Sequence, residues 1–292
     1  MSDIEYIIKS IELTDVEKYG KDKYNSNNHW TDETTTYNYE YVLQQTSTEK
    51  WIDLFKQYKK ITIDNQVWIS WLKQTSIISS KTGKFSKCFE DEFDIMVEEL
   101  NKQYSYLFNS VEPGYFVRVN NVSLKYGQHK EGPYNNIRTI LESVVSCIRG
   151  HTPIKQNTKL LNIYLIDWIE IKPEFEFRVF VYNNKITAIS QQNIYSLLFT
   201  EYLDIYKESF NTFIIQILNN IVKYFYEEML PKITWISNYT FDIAITKSKP
   251  YFIELNSFGK EQAAGSALFH WLLDEKILYN DSTNTIEFRY TI

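Results

Sequence analysis

Cysteine and histidine are scarce in this chain. Two cysteines, Cys88 and Cys147, and four histidines, His29, His129, His151 and His270, are scattered through 292 residues, and no pair has the spacing of a zinc site. A disulfide framework is excluded, and the two thiols are expected to be reduced, in the cytoplasm or nucleus. No uninterrupted apolar run of about 18 residues occurs. The N-terminus (Met-Ser-Asp-Ile-Glu-Tyr) has no basic segment leading into an apolar one, so neither a membrane span nor a secretion signal is expected. An excess of positive charge is missing too. A formal charge of -6 and a pI near 5.4 do not suit a protein that neutralises nucleic-acid phosphates. An acidic chain more naturally meets a basic partner. What is present is ordinary globular material, 43% hydrophobic and 23% charged, enough for one large domain or two lobes.

One stretch, residues 239–260, concentrates the chemistry. Thr240 to Ile245 and Tyr251 to Leu255 are rich in β-branched and aromatic residues and flank a polar turn at Thr246 to Lys249, the pattern of a β-hairpin. A loop symmetric about Ser248 sets Asp242 across from Glu254, and strand alternation puts Asn256 on the same face. Carboxylates in otherwise apolar strands are costly to bury without a positive partner. Two acids and an amide form an all-oxygen set that suits Mg²⁺ bound with a nucleotide's phosphates. The alternative is a half-exposed hairpin whose polar face meets water.

Upstream, residues 25–48 read as a surface loop, and Trp51 to Tyr58 as an amphipathic helix that Ser47 or Thr48 can cap. Ile61 to Leu72 fits either a hairpin or a buried strand. Phe89 to Tyr106 is a second amphipathic helix. Residues 114–127 form a strand carrying Arg118 and then a polar loop with Ser123 and Lys125, followed by a helix over Asn135 to Ile148. Both cations could reach an oligophosphate, but Lys125 reads first as a solvated surface lysine, whereas Arg118 has the apolar neighbours Phe116, Val117 and Val119. After the apolar run Leu160 to Ile171, Glu174, Glu176 and Arg178 share one face of a strand, either a solvated edge or one wall of a site. Asn183-Asn184 turns this strand back on itself. Phe210 to Met229 is a long core helix with apolar side chains at Phe210, Phe213, Ile214, Ile217, Ile221, Tyr224 and Phe225, and Pro231 stops it. A short helix over Ala264 to Leu273 and a strand over Thr285 to Tyr290 close an α+β pattern.

Three groups of residues resemble the ordered motifs of the cell division cycle protein 123 family: Phe-Val-Arg-Val-Asn-Asn-Val-Ser-Leu-Lys, Glu-Phe-Arg-Val-Phe-Val followed by Ile-Ser-Gln-Gln, and Phe-Asp-Ile with Ile-Glu-Leu-Asn-Ser-Phe-Gly and Leu-Phe-His-Trp. The similarity spans roughly residues 85–275. It implies an ATP-grasp-like fold of two lobes with antiparallel sheets and packing helices: an N-terminal region over 1–110, a first lobe over 111–166 and a second over 167–292. Mg²⁺ and ATP would then bind between the lobe with Arg118 and the lobe with the hairpin. The resemblance implies phosphate contacts from Arg118, Lys125 and Arg178, nucleotide binding by Ser123 at its motif position, an adenine-side hinge including Asp167, Trp168 and Ile169, a ribose contact from Glu176, and metal ligation by Asp242, Glu254 and Asn256. Arg118 stands where the family has Lys, Asn121 where a Trp is common, Tyr126 where an Asp follows Lys125, and Glu254 where an Asp is usual. Family members resemble ATP-dependent assembly factors for eukaryotic translation initiation factor 2, acting on its gamma subunit. A cytoplasmic monomer is expected. The wider fold also implies carboxylate–amine ligation through an acyl phosphate, or a scaffold that holds ATP without turnover, and no residue pattern marks an acceptor site or a catalytic residue.

Overall fold

The computed structural model describes residues 4–26, 39–109, 112–148, 152–198, 209–260 and 264–292. It divides into two compact units, one of Ser47–Glu170 and one of Met1–Thr46 with Ile171–Ile292. Nine strands run in chain order among the described residues: β1 Glu5–Ile11, β2 Lys59–Ile63, β3 Tyr115–Val119, β4 Leu161–Asp167, β5 Glu176–Tyr182, β6 Lys185–Gln191, β7 Tyr239–Thr246, β8 Lys249–Ser257 and β9 Thr285–Thr291. Strands and helices mix in both units, and the fold is α+β. The divide differs from the expected boundaries after 110 and 166. Strand pairing is the reason: β1 joins β9, far along the chain, and β2 joins β4, so the first 110 residues belong to both units.

In the Ser47–Glu170 unit, β4 lies between β2 and β3, antiparallel to both. Helices Gln66–Thr82, Glu90–Tyr104 and Ile137–Ser146 supply Ile69, Leu72, Phe93, Met96, Leu100, Ile140 and Val144 to one core with the sheet. The segment that fitted either a hairpin or a buried strand is a strand followed by a helix. Asn65 divides it, because its Oδ1 accepts from Val67 N at 2.9 Å and Trp68 N at 3.4 Å and so satisfies two of the amide groups a helix start leaves over. The helix expected over Trp51 to Tyr58 is shorter and earlier: one turn, Thr48–Trp51, then a 3₁₀ turn, Ile52–Leu54. Its apolar positions are core nonetheless, with Ile52 and Phe55 packing on Tyr164 and Ile166.

In the other unit, six strands lie in the order β1-β9-β6-β5-β7-β8. β9 runs parallel to both neighbours, and the remaining pairs are antiparallel. Helix Phe210–Tyr224, extended by a π turn over Phe225–Met229, buries most of its predicted stripe, with Phe213 and Tyr224 half-buried, and the Phe225 ring stacks on Phe241 of β7 at 5.9 Å. Phe241 and Asp242 are adjacent, so their side chains leave opposite faces of β7. The helix therefore covers one face and the polar residues occupy the other. Of the residues read as a surface loop, 27–38 lie outside the described residues, and 39–45 form a helix.

No helix forms over Ala264 to Leu273. Ala267 has a positive φ of 48°, and side chains take up amides a helix would need: Leu268 N donates to Ser190 Oγ, Trp271 N to Ser26 Oγ, and Leu272 N and Leu273 N to His270 Nδ1. This irregular segment lies against the polar face through the Ser190 contact. The next helix is the single turn Glu275–Leu278.

The β7–β8 hairpin turns through Lys247 and Ser248, with φ of 47° and 64°, a two-residue type I′ loop of the kind Asn-Gly forms with least strain. Such a loop, continued regularly, would set Asp242 against Ile253. A bulge at Ile253 adds one residue, so Asp242 pairs with Glu254. The pairing is the expected one, reached by a bulge and not by a loop centred on Ser248. Lys247→Asn with Ser248→Gly should relieve the left-handed strain by about 1 kcal/mol and raise the thermal midpoint by ~2–4 °C. An unchanged or lowered midpoint contradicts this assignment of strain.

Candidate functional site

The polar face of the six-stranded sheet gathers Glu176 and Arg178 from β5, Asp242 from β7, and Glu254 and Asn256 from β8. Register makes this a row: Arg178 pairs with Asp242 on one side, and Asp242 with Glu254 on the other. Glu174, expected on the same strand face, sits in a 3₁₀ turn, Pro173–Phe175, before β5 begins, because Pro173 cannot donate to a sheet ladder. Gln192 joins the group from the end of β6, where its backbone N–H donates to Glu176 O at 3.0 Å.

Arg178 and Asp242 are 8% and 1% exposed. The guanidinium grips the carboxylate with two parallel bonds, Nε to Oδ1 at 2.8 Å and Nη2 to Oδ2 at 2.7 Å, and Nη1 donates to Gly265 O at 2.6 Å. This forked geometry is the strong form of the ion pair. Burial works against the charge on Arg178, but Asp242 first, then Glu254 and Glu176, outweigh it and hold the guanidinium protonated above its ordinary value. For Asp242, burial pushes the carboxyl upward, Arg178 pulls it down, and Glu254 pushes it up again, with a net rise. One cation serves several acids, so the cluster carries surplus negative charge.

Asn256 lies between the two acids, its Nδ2 donating to Asp242 Oδ2 at 3.3 Å and to Glu254 Oε1 at 3.2 Å. Half a turn of that amide presents Oδ1 in place of Nδ2, and three side-chain oxygens then converge. Among the described residues no group of three or more His, Cys, Asp or Glu is placed to hold a metal; the set here is two carboxylates and an amide. That set fits Mg²⁺, which takes oxygen ligands, needs only one or two carboxylates and keeps its other positions for water and phosphate oxygens.

The raised pKa of Asp242 gives a pH prediction. A folded-state pKa above the unfolded value means the carboxyl favours the fold when protonated, fully so below the unfolded pKa, and that contribution is lost as pH rises through the folded pKa. A Mg²⁺ ion held by this oxygen set would need the ionised form and would offset the loss. The rise in thermal midpoint on adding Mg²⁺ should thus be larger at about pH 7.5 than at about pH 5. An equal rise at both contradicts ligation through Asp242.

The remaining predicted residues lie in the Ser47–Glu170 unit. Arg118 is buried on β3, with its guanidinium 5.0 Å from the Trp51 ring centre, a cation–π contact. Ser123 is buried, bridged to Arg118 at the return of the loop. Ser47 Oγ and Thr48 Oγ1 do not cap their own helix; they donate to Asn120 O at 3.3 Å and Val119 O at 2.9 Å and pin that loop. Lys125 is exposed, as the solvated reading has it, beside Tyr126. Asp167 ends β4, and Trp168 N donates to Gly114 O at 3.0 Å. Ile169 follows in the loop.

Two further residues join the cluster without a role expected from the sequence, Gln192 having stood only within the Ile-Ser-Gln-Gln motif. Gly265 supplies the carbonyl for Arg178, and a Cβ there would come within 2.5 Å of Asn25 Oδ1. Gln192 donates Nε2 to Asp242 Oδ2 at 3.4 Å while its Oε1 is buried without a hydrogen-bond partner among the described residues. The available signal was a second glutamine directly after an apolar strand.

Among the described residues no helix is long and apolar enough to cross a membrane. A curated protein of Candida albicans, named translation initiation factor eIF2 assembly protein, is 28% identical over 180 residues, covering 57% of this chain and 45% of that protein. The match thus spans less than half of that relative's length. The structure of Cdc123 from Schizosaccharomyces pombe superposes with a TM-score of 0.58 at 15% identity, covering 87% of this chain and 99% of the other. A C-terminally truncated form of it gives 0.57 at 16% over the same shares. Both likenesses concern the fold. The D123 family model matches residues 135–291, more than half of the chain and the whole of the Glu176, Arg178, Asp242, Glu254 and Asn256 cluster, and with the motifs above it shows that the chain belongs to the D123 family, that of cell division cycle protein 123.

Proposed function

We propose that this protein is a cytoplasmic assembly factor for eukaryotic translation initiation factor 2, that it binds the gamma subunit as a monomer, and that it uses Mg-ATP as a ligand on an ATP-grasp-like fold. Family membership and similarity to the Candida albicans eIF2 assembly protein support the assembly role. The observation that carries the ligand is the Asp242–Glu254–Asn256 cluster, two acids and an amide with more negative charge than Arg178 neutralises.

In this reading Asp242 and Glu254 are the anionic ligands of Mg²⁺ and Asn256 the neutral one. Arg178 fixes the direction of the Asp242 carboxylate and keeps its charge tolerable in a buried place. Glu176 accepts from the ribose; Arg118, Ser123 and Lys125 contact phosphates; Asp167, Trp168 and Ile169 line the adenine side. The ion, when bound, supplies positive charge to the phosphates. The acidic net charge of -6 favours encounter with a basic partner.

Pull-down of the gamma subunit with and without Mg-ATP, followed by intact mass measurement of both proteins, tests the role. A complex strengthened by Mg-ATP, with neither mass changed, is the expected result. No complex defeats the assembly reading, and an ATP-dependent mass increase on either chain replaces it with a ligase.

A further inference from the structure

Gly265 O accepts from Arg178 Nη1 at 2.6 Å, and the irregular segment that carries it is held by residues 24–26, some 240 residues earlier in the chain and in the same compact unit. Ser26 Oγ accepts from Trp271 N at 2.9 Å and lies 3.1 Å from Ser266 Oγ. The Ser266 hydroxyl donates to Phe269 O at 2.6 Å, so its one proton is taken and Ser26 is the donor between the two hydroxyls. Ser26 thus donates once and accepts once while 2% exposed. One residue earlier, Asn25 N donates to Ala267 O at 2.7 Å. Asn25 and Ala267 both have left-handed backbones, with φ of 46° and 48°; alanine keeps that conformation only where its surroundings impose it. The Gly265 carbonyl lies in the planar peptide unit that ends at the Ser266 Cα, so holding Ser266 aims the carbonyl.

We propose that Ser26 is a positioning residue for the Mg-ATP site, acting through Ser266, the Gly265 carbonyl and Arg178 on the Asp242 carboxylate. The inference rests on the proposed function, in which Asp242 is a ligand of Mg²⁺. Nε and Nη2 of Arg178 join the guanidinium to that carboxylate, and Nη1 ties the joined pair to Gly265 O. The direction of that third bond decides where on the sheet face the carboxylate points. Packing does not need the hydroxyl. The segment keeps Leu268 N on Ser190 Oγ at 3.0 Å and the Trp271 indole N–H on Ala264 O at 2.9 Å, so without the Ser26 hydroxyl it stays in place and loses only its fine setting. Mg²⁺ demands near-ideal octahedral geometry and is sensitive to a displaced ligand.

Calorimetric titration of ATP, with and without Mg²⁺ and well below every thermal midpoint, into wild type, Ser26→Ala, Ser266→Ala and the double variant tests this. Each single variant should bind Mg-ATP roughly three- to tenfold more weakly than the wild type and bind metal-free ATP as the wild type does, because the relay reaches the nucleotide only through a metal ligand. The double variant should be no weaker than the weaker single one, since both changes break the same contact. Losses that multiply, or a loss that is equal with and without Mg²⁺, overturn the proposal. So does a lower thermal midpoint with Mg-ATP affinity intact, the mark of a hydroxyl that serves packing alone. Ser266→Ala leaves Trp271 N bonded to Ser26 and carries the same reading if Ser26→Ala does not fold. A wild type that fails to bind Mg-ATP defeats the proposed function and this inference together, whereas equal Mg-ATP binding by wild type and both single variants defeats the inference alone.

Discussion

Asp242→Ala should destabilise the protein by about 3–5 kcal/mol, the range for breaking a buried ion pair from one side. The residue reads as a metal ligand, but its first effect is on the fold. Arg178 is 8% exposed and gives both Nε and Nη2 to Asp242; with the carboxylate gone, a guanidinium stays buried against only the Gly265 carbonyl and the flanking acids. Glu254 stands one strand further away and recovers part of the loss. A double change, Arg178→Met with Asp242→Leu, removes the charge from both sides and should cost clearly less than Asp242→Ala. Denaturant unfolding of the wild type, the single variant and the double variant checks this. A loss below about 1 kcal/mol for Asp242→Ala would place Arg178 in contact with solvent, contrary to the geometry. Asp242→Ala is accordingly a poor probe of metal binding, because loss of fold and loss of ligand coincide.

The second large effect is expected from Trp271→Ala, about 3–5 kcal/mol. Trp271 is fully buried, with its ring edge-to-face on Phe180 at 5.5 Å and on Phe258 at 5.0 Å. Its indole N–H donates to Ala264 O at 2.9 Å. The side chain therefore anchors the irregular segment that also gives Gly265 O to Arg178 and Leu268 O to Arg289. Trp271→Phe keeps most of the buried area and loses the indole bond, so it should cost substantially less. Similar costs for both would mean that the hydrogen bond, and not the packing, holds the segment.

Much of the candidate site was legible in the sequence because its geometry is local. A hairpin brings Asp242 against Glu254 within a dozen residues, and alternation then places Asn256; the pairing is the expected one, although the bulge at Ile253 and not the loop produces it. The helix Phe210–Tyr224 with its π turn was legible because seven apolar positions at helical spacing, Phe210 to Phe225, have one physical solution. Elements that depend on distant partners were not. β1 reads as mixed apolar and charged residues and becomes a strand by pairing with β9, some 280 residues on. Residues 264–273 have the composition of a helix, yet Ser26, Ser190 and His270 compete for its amides, and two of these come from elsewhere in the chain. The Arg178 fork showed only that a cation stood near acids; the cross-strand pairing chose Asp242 as its partner.

The central claim is that Mg²⁺ and ATP are held on the acidic hairpin. The most direct test is calorimetric titration of ATP, with and without Mg²⁺, into the wild type and Glu254→Gln. Glu254 is half-buried and outside the Arg178–Asp242 fork, so the variant removes one anionic ligand while leaving the ion pair in place. The account predicts Mg²⁺-dependent binding in the wild type, a loss of about tenfold or more in the variant with Mg²⁺ present, and equal, weak binding by both without it. Equal Mg-ATP affinity in the two proteins would contradict it.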